Sequence, residues 1–333
     1  MLLGLAPILR HSTRFDAPSL LLVTSSTIIL QFARRPTLLP APYNNVILFP
    51  MIPFLHVAGF AIPTFGLMVA CAMLAAYFLL RADLARRGIA DKHSGEAEAL
   101  ISFPCLAGFV GAKLYHLLES PAEFFADPMR LLLSPYGFAW FGGLLAGFAT
   151  FAFVAWRITK HSAASGHPVS LLTIFDAGSP AAALGYGIGR IGCLLSGDGD
   201  YGIPTSLPWG MSFPNGLVPT VERVHPTPLY EFIVACGIAW WLWRMGTPGA
   251  GSLGNSKSTS SAEAWPAAAS GRRPGEVFAA YLIFTGVARF LVEFIRINPR
   301  SFLGMSNAQT AAAASVIVGM ILWRWVRKQK ASA

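Results

Sequence analysis

Three basic side chains, Lys113, Arg190 and Arg289, fall inside long apolar stretches of the sequence. An ionisable group at membrane depth costs about 2.5–3.5 kcal/mol on insertion scales, so each needs a reason to be there. Arg190 sits in the glycine-rich segment GYGIGRIGCLLSGDGDYG, where missing side chains leave backbone open to close approach. A guanidinium in that setting is a fork of donors suited to a phosphate, and the end of a span lies near the depth of a lipid phosphodiester. The alternative is an arginine snorkelling to the interface. Glu293 follows Arg289 by four residues, so on a helix the two share a face and pair, as a structural ion pair or as part of a site.

Beyond Arg190 the chain runs through Asp198, Asp200 and a proline-rich stretch to HPTPLYE, which holds His225 and Glu231. A loop of this length and stiffness, 196–227, reads as a shaped feature outside the membrane. The GDGD at 197–200 has the GxGD form of intramembrane aspartyl proteases, with Asp176 as a conceivable partner, but the following YGIPTSLPWG cannot continue a span. HExxH, Walker and GxSxG patterns are absent from the sequence, which leaves zinc, nucleotide and serine-hydrolase chemistry without support. Cys71, Cys105, Cys193 and Cys236 lie in apolar stretches without CxxC spacing and read as small buried hydrophobes. No cofactor or metal is expected.

The elements that must position these groups are membrane helices. Apolar residues make up 54% of the chain and charged residues 12%, about half the charged share of a soluble domain. Apolar windows long enough to span a bilayer lie near 60–80, 99–118, 138–156, 173–195, 228–245, 275–296 and 308–326, which predicts an all-α, polytopic protein of seven transmembrane helices. The net charge of +9 is a topology signal here and not a nucleic-acid footprint. Arg81, Arg86, Arg87, Lys92, Arg157, Lys160, Arg244, Lys257, Arg272, Arg273, Arg324, Arg327, Lys328 and Lys330 lie on one set of alternating loops, against Arg130, Arg223, Arg296 and Arg300 on the other. The positive-inside rule then puts the C-terminus in the cytoplasm, the N-terminus outside and loop 196–227 outside.

Residues 1–50 carry four arginines on the side expected to be outside, and their apolar stretch 18–31 is short for a span. They admit three readings, a signal-like segment, an interfacial helix or an over-extended start ahead of Met51, of which the last is the expectation, with 1–50 dispensable for function and 51–333 as the membrane domain. Segment 246–274, rich in Gly, Ser, Ala and Pro, reads as a flexible cytoplasmic linker.

Four segments, in order, carry a family resemblance: GFVGAKLYHLLESPAEFFADPMRLL (108–132), FGGLLAG (141–147), GRIGCLLSGDGDYGIPT (189–205) with HPTPLYE (225–231), and GVARFLVEFIR (286–296). From about residue 51 onward the chain resembles the bacterial prolipoprotein diacylglyceryl transferases. The resemblance implies a multi-pass enzyme of the bacterial inner (cytoplasmic) membrane with seven spans, N-terminus outside. It would transfer the diacylglyceryl group of phosphatidylglycerol to the lipobox cysteine thiol of a prolipoprotein signal peptide, the first step of lipoprotein maturation. Its partners would be phosphatidylglycerol, prolipoprotein signal peptides and membrane lipids, without nucleic acid.

On this resemblance Arg190 holds the phosphate, Arg289 is a second clamp or gate, and Glu293 orients it. Gly142, Gly143, Gly192 and Gly202 match family glycines and would admit lipid and peptide to the backbone. Lys113, Cys193, Asp198, His225 and Glu231 complete the expected substrate-binding set. The chain departs from the family pattern at Phe141, where a His is usual before the paired glycines, and at Cys193, Phe65 and Thr285, where an Asn and two Tyr are usual. Asp198 stands for a Glu. A ring that takes no proton at 141 leaves His116, His225 or Glu293 as bases, or a thiol already acidified by two guanidinium groups. The competing expectations are a transporter or flippase of an anionic lipid-like substrate and an inactive lipid- or lipoprotein-binding homologue. The sequence shows no internal repeat of the kind that marks many transporters.

Overall fold

The computed structural model describes residues 47–48, 51–87 except 58, 89, 95–164 except 135, 136 and 138, 168–247, 272–300 and 304–329. The stretch 1–46 and most of the expected linker 246–274 lie outside the described residues.

Helices dominate: α1 (Thr64–Arg86), α2 (Glu96–Glu119), the short α3 (Pro121–Ala126) and α4 (Pro128–Leu133), α5 (Trp140–Ala164), α6 (Leu171–Ser196), α7 (Thr227–Met245), α8 (Glu276–Val292) and α9 (Asn307–Lys328). The seven expected windows coincide with the seven long helices found among the described residues. Four of these, α1, α2, α5 and α9, are long and apolar enough to cross a membrane. The other three differ in kind. α6 carries Asp176 and Arg190, α7 carries Glu231 and Arg244, and α8 has only 17 residues. They bring the charged groups together.

Exposed Phe78, Phe109, Phe153 and Ile321 give the outer helices an apolar surface of the kind lipid covers. α6 by contrast buries residues along most of its length, from Thr173 to Ser196. It packs against α1, α7 and α8. Ala183, Ala239, Leu242, Val277 and Ala280 form the apolar core where α6, α7 and α8 meet. Small side chains at that seam let three backbones approach closely, as membrane helix interfaces require. At the far end of the seam Asp176 of α6 accepts hydrogen bonds from the Gly275 and Phe278 amides at 2.8 and 2.7 Å, supplying acceptors that the start of α8 lacks.

The segments around the helices include two small sheets: β2 (Phe54–Val57) pairs antiparallel with β3 (Phe60–Pro63), and β1 (Ile47–Leu48), β4 (Met211–Phe213) and β5 (Thr220–Val224) form a sheet in the order β1-β4-β5. Loop 196–227 is therefore folded. Phe213 is fully buried, Tyr201 stacks on it with ring centroids 4.6 Å apart, and Leu194, Met211 and Val224 close the cluster. Strands answer a need of buried backbone, whose N–H and C=O groups must pair. β1 precedes Met51 and pairs parallel with β4, so the folded unit takes in Ile47 and Leu48.

Candidate active site

The charged site grows from one face of α6. Tyr186, Arg190 and Cys193 follow one another at four and three residues, which aligns them on a helix. α6 ends at Gly197, with φ +59°, and Gly199 follows with φ +94°. These left-handed turns bring Asp200 back over the last turn of α6, ten residues after Arg190. Thr227, at the start of α7, fixes that loop by donating its hydroxyl to the Asp200 carbonyl at 2.5 Å.

Arg190 uses all three of its nitrogens. Nε donates to Glu231 Oε2 at 2.8 Å and Nη2 donates to the same oxygen; Nη1 donates to Asp200 Oδ2 at 2.6 Å and lies 3.5 Å from Cys193 Sγ. Glu231, only 5% exposed, is the centre of the arrangement. It also accepts from Tyr186 Oη at 2.6 Å, from Arg289 Nη1 at 2.8 Å and from Arg296 Nη1 at 3.3 Å. Arg296 Nη2 in turn donates to Asp200 Oδ1. Arg289 Nη2 pairs with Glu293 Oε2 at 3.0 Å, so the expected i, i+4 ion pair forms and is one arm of a larger network.

Three arginines thus face three carboxylates, Asp200, Glu231 and Glu293. The balance matters because buried charge is tolerated only when paired and hydrogen-bonded. Burial alone would raise the Asp200 carboxyl, but Arg190 and then Arg296 more than reverse this and hold it below the usual carboxylate range. Asp198 points to a different neighbour, Cys193, and burial pushes its carboxyl up. Of the two loop acids it is Asp200 that meets the arginines. Cys193, Asp198 and Asp200 bring one ligand atom each within 4.8 Å of one another, but the Arg190 guanidinium already lies against two of them.

Charge counting places Arg296 in a connecting loop, and there it is a buried member of the network. α8 ends at Val292, but turn hydrogen bonds at Glu293 and Ile295 carry the chain on. Arg296 then forms an antiparallel bridge to Gly202. The signal available in sequence was its spacing, seven residues after Arg289 and three after Glu293. Tyr186 had a similar signal, one turn before Arg190.

The expected glycines serve helix and loop packing. A side chain on Gly142 would collide with the Gly111 carbonyl and Tyr115 across the α2–α5 contact, and Gly143 faces Gly108. Gly192 lies against Met68 and Phe65 of α1; Gly202 lies against the Ile295 carbonyl and His225. The space that a side chain would take at each of them is occupied by protein atoms. Lys113 is also used elsewhere, donating to the Ser134 carbonyl at 2.9 Å. His225 has a ring nitrogen 3.3 Å from Tyr230 Oη, and Phe141 stands 43% exposed in the first turn of α5.

Residues 53–325 match the family model described as prolipoprotein diacylglyceryl transferase. The chain belongs to that family. Relatives named phosphatidylglycerol–prolipoprotein diacylglyceryl transferase include one from Geobacter sulfurreducens, 30% identical over 80% of this chain and 91% of its own length. Another, from Clostridium tetani, is 27% identical over 82% of this chain and 96% of its own length, and one from Leifsonia xyli is 28% identical over 86% and 79%. The family match takes in every member of the arginine–carboxylate network, from Tyr186 to Arg296.

Proposed function

We propose that the chain transfers the diacylglyceryl group of phosphatidylglycerol to the thiol of a lipobox cysteine in a prolipoprotein signal peptide. The observation that carries this reading is the convergence of Arg190, Arg289 and Arg296 on one site in a chain of this family. In the transfer a carbon–sulfur bond forms at the glyceryl carbon, the carbon–oxygen bond to phosphate breaks, and its electron pair stays on the phosphate oxygen. A singly charged phosphodiester becomes doubly charged glycerol phosphate. Fixed donors aimed at that growing charge lower the barrier without needing to reorganise. Guanidinium groups give them bidentate geometry.

The resting site is closed by its own carboxylates. Every nitrogen of Arg190 has a protein partner, so a phosphate enters by taking the place of one. Asp200 is the replaceable one, because its side chain is 32% exposed and sits on a glycine-bounded turn, whereas Glu231 is buried and held by four residues. Arg289, 28% exposed, is the arm that follows the phosphate. Displacement also releases Asp200 from the arginines that depress its pKa, and the freed carboxylate takes the thiol proton. This gives the reaction a base where Phe141 provides none. The same guanidinium groups favour the thiolate.

The seven long helices are read as seven spans, with the N-terminus outside, the C-terminus cytoplasmic and the Asp198–Asp200 loop at the outer surface of the bacterial inner membrane. The charge asymmetry of the connecting loops supports this orientation. Expression in a bacterium depleted of its own transferase tests the reading. Restored growth that depends on Arg190 supports it; membrane-inserted protein without rescue would remove it.

A further inference from the structure

The two oxygens of Glu293 face groups of different kinds, Oε1 through hydrogen bonds and Oε2 through ion pairs without a hydrogen bond. Oε2 faces the arginines, Arg289 Nη2 at 3.0 Å and Arg296 Nε at 3.8 Å. Oε1 accepts from Asn298 Nδ2 at 2.5 Å and from Ser306 Oγ at 2.8 Å. Ser306 is the N-cap of α9 and belongs to a complete capping box. Its Oγ accepts from the Gln309 amide at 3.1 Å, while Gln309 Oε1 accepts from the Ser306 amide at 3.0 Å. A hydroxyl has one proton to give. The Gln309 backbone amide takes an acceptor lone pair, so the proton is directed to Glu293. Ser306, Gln309 and Glu293 are all buried.

We propose that Ser306 is a positioning residue for the transfer reaction: through its hydroxyl the buried cap of α9 sets the Glu293 carboxylate, and Glu293 in turn aims Arg289. The inference rests on the transferase reading given above. Arg289 is the most exposed of the three guanidinium groups, so its direction depends most on what holds it. With Oε1 fixed by Ser306 and Asn298, Glu293 can offer only Oε2 to Arg289. The Arg289 guanidinium is then kept with Nη1 toward Glu231. The first turn of α9 adds its partial positive charge beside the Glu293 carboxylate.

Two substitutions separate this role from helix capping. Ser306→Asp keeps a strong cap acceptor but has no proton for Glu293 and sets a second carboxylate against it; Gln309→Ala weakens the capping box but leaves the Ser306 hydroxyl. Steady-state transfer of the diacylglyceryl group to a lipobox peptide, with phosphatidylglycerol in nanodiscs, is measured for full-length wild type and both variants beside their thermal unfolding. The expected result is a loss of at least tenfold in kcat for Ser306→Asp with little change in peptide KM. Gln309→Ala should stay within about twofold of wild type, even where its unfolding temperature falls. Equal activity of wild type and Ser306→Asp, or equal losses in the two variants, overturns the role. If Ser306→Asp does not fold, Asn298→Ala, which loosens the same oxygen without touching the cap, decides instead: a kcat loss sustains the inference and wild-type kcat overturns it. A wild-type chain that transfers nothing overturns the transferase reading itself, and the positioning role with it.

Discussion

Arg190 and Glu231 are 41 residues apart in the chain, yet one carboxylate oxygen of Glu231 receives both Nε, at 2.8 Å, and Nη2 of Arg190. This paired contact joins α6 to α7, and the second Glu231 oxygen carries the join to α8 through Arg289. A single buried acid therefore organises the meeting of three helices, each of which brings charge that would be unstable there alone.

Replacement of Glu231 by Ala leaves three guanidinium groups with only two carboxylates, Asp200 and Glu293. Breaking a buried network in this way costs about 3–5 kcal/mol. The expected outcome is a large fall in unfolding temperature in detergent together with loss of transfer, whereas Tyr186→Phe, which removes one neutral donor, lowers stability by about 1 kcal/mol.

Arg190→Ala should abolish transfer and Arg190→Lys should recover little, because a point charge cannot contact Glu231 and a phosphate as a planar fork does. Transfer to a reporter peptide measured with protein level matched in the membrane checks this. Full activity in Arg190→Ala would remove phosphate clamping from the mechanism.

Asp200→Asn separates the two roles given to that residue. It removes the charge that competes with phosphate and also the proton acceptor, so KM for phosphatidylglycerol should fall while kcat drops by roughly 10²–10⁴, the range of general-base catalysis. A kcat unchanged from wild type would show that the thiol proton leaves by another route.

The same residue predicts a pH dependence of stability. The Asp200 carboxyl lies below its ordinary value in the folded chain, held there by Arg190 and Arg296 against the effect of burial. Such a group contributes stability above its unfolded pKa, about 3.9, and the contribution is lost as pH falls through the lower folded value. Unfolding temperature should thus show no loss from this pair between pH 7 and 5 and should decline below about pH 4, with a shallower decline in Asp200→Asn.

Gly142→Ala places a methyl group against the Gly111 carbonyl and Tyr115. Its main effect should be on α2–α5 packing, seen as reduced unfolding temperature and yield, with the KM for lipid little changed in the protein that does fold.

Much of this was legible in the sequence. The seven apolar windows fall on the seven long helices, and Arg190, Arg289, Glu293 and Glu231 meet because helical spacing and hydropathy are local properties of the chain. Arg296 was lost because composition sees a cation after the last apolar residue as a loop cation, while a bridge to Gly202 draws it inward. Sequence alone does not separate Asp200 from Asp198 as the partner of the arginines, because left-handed turns at Gly197 and Gly199 make that choice in three dimensions. The β4–β5 pairing was missed for a related reason. Strands of three and five residues carry too little alternation to be read, and their partners lie elsewhere in the chain.

The most direct test of the central claim is a mass measurement on a reporter lipobox peptide incubated with this chain and phosphatidylglycerol. A peptide heavier by one diacylglyceryl group at its cysteine, with an equal amount of glycerol phosphate released and neither product formed by Arg190→Ala, is the predicted result. An unmodified peptide beside folded, membrane-inserted protein that still binds phosphatidylglycerol would contradict the account and leave a lipid-binding homologue in its place.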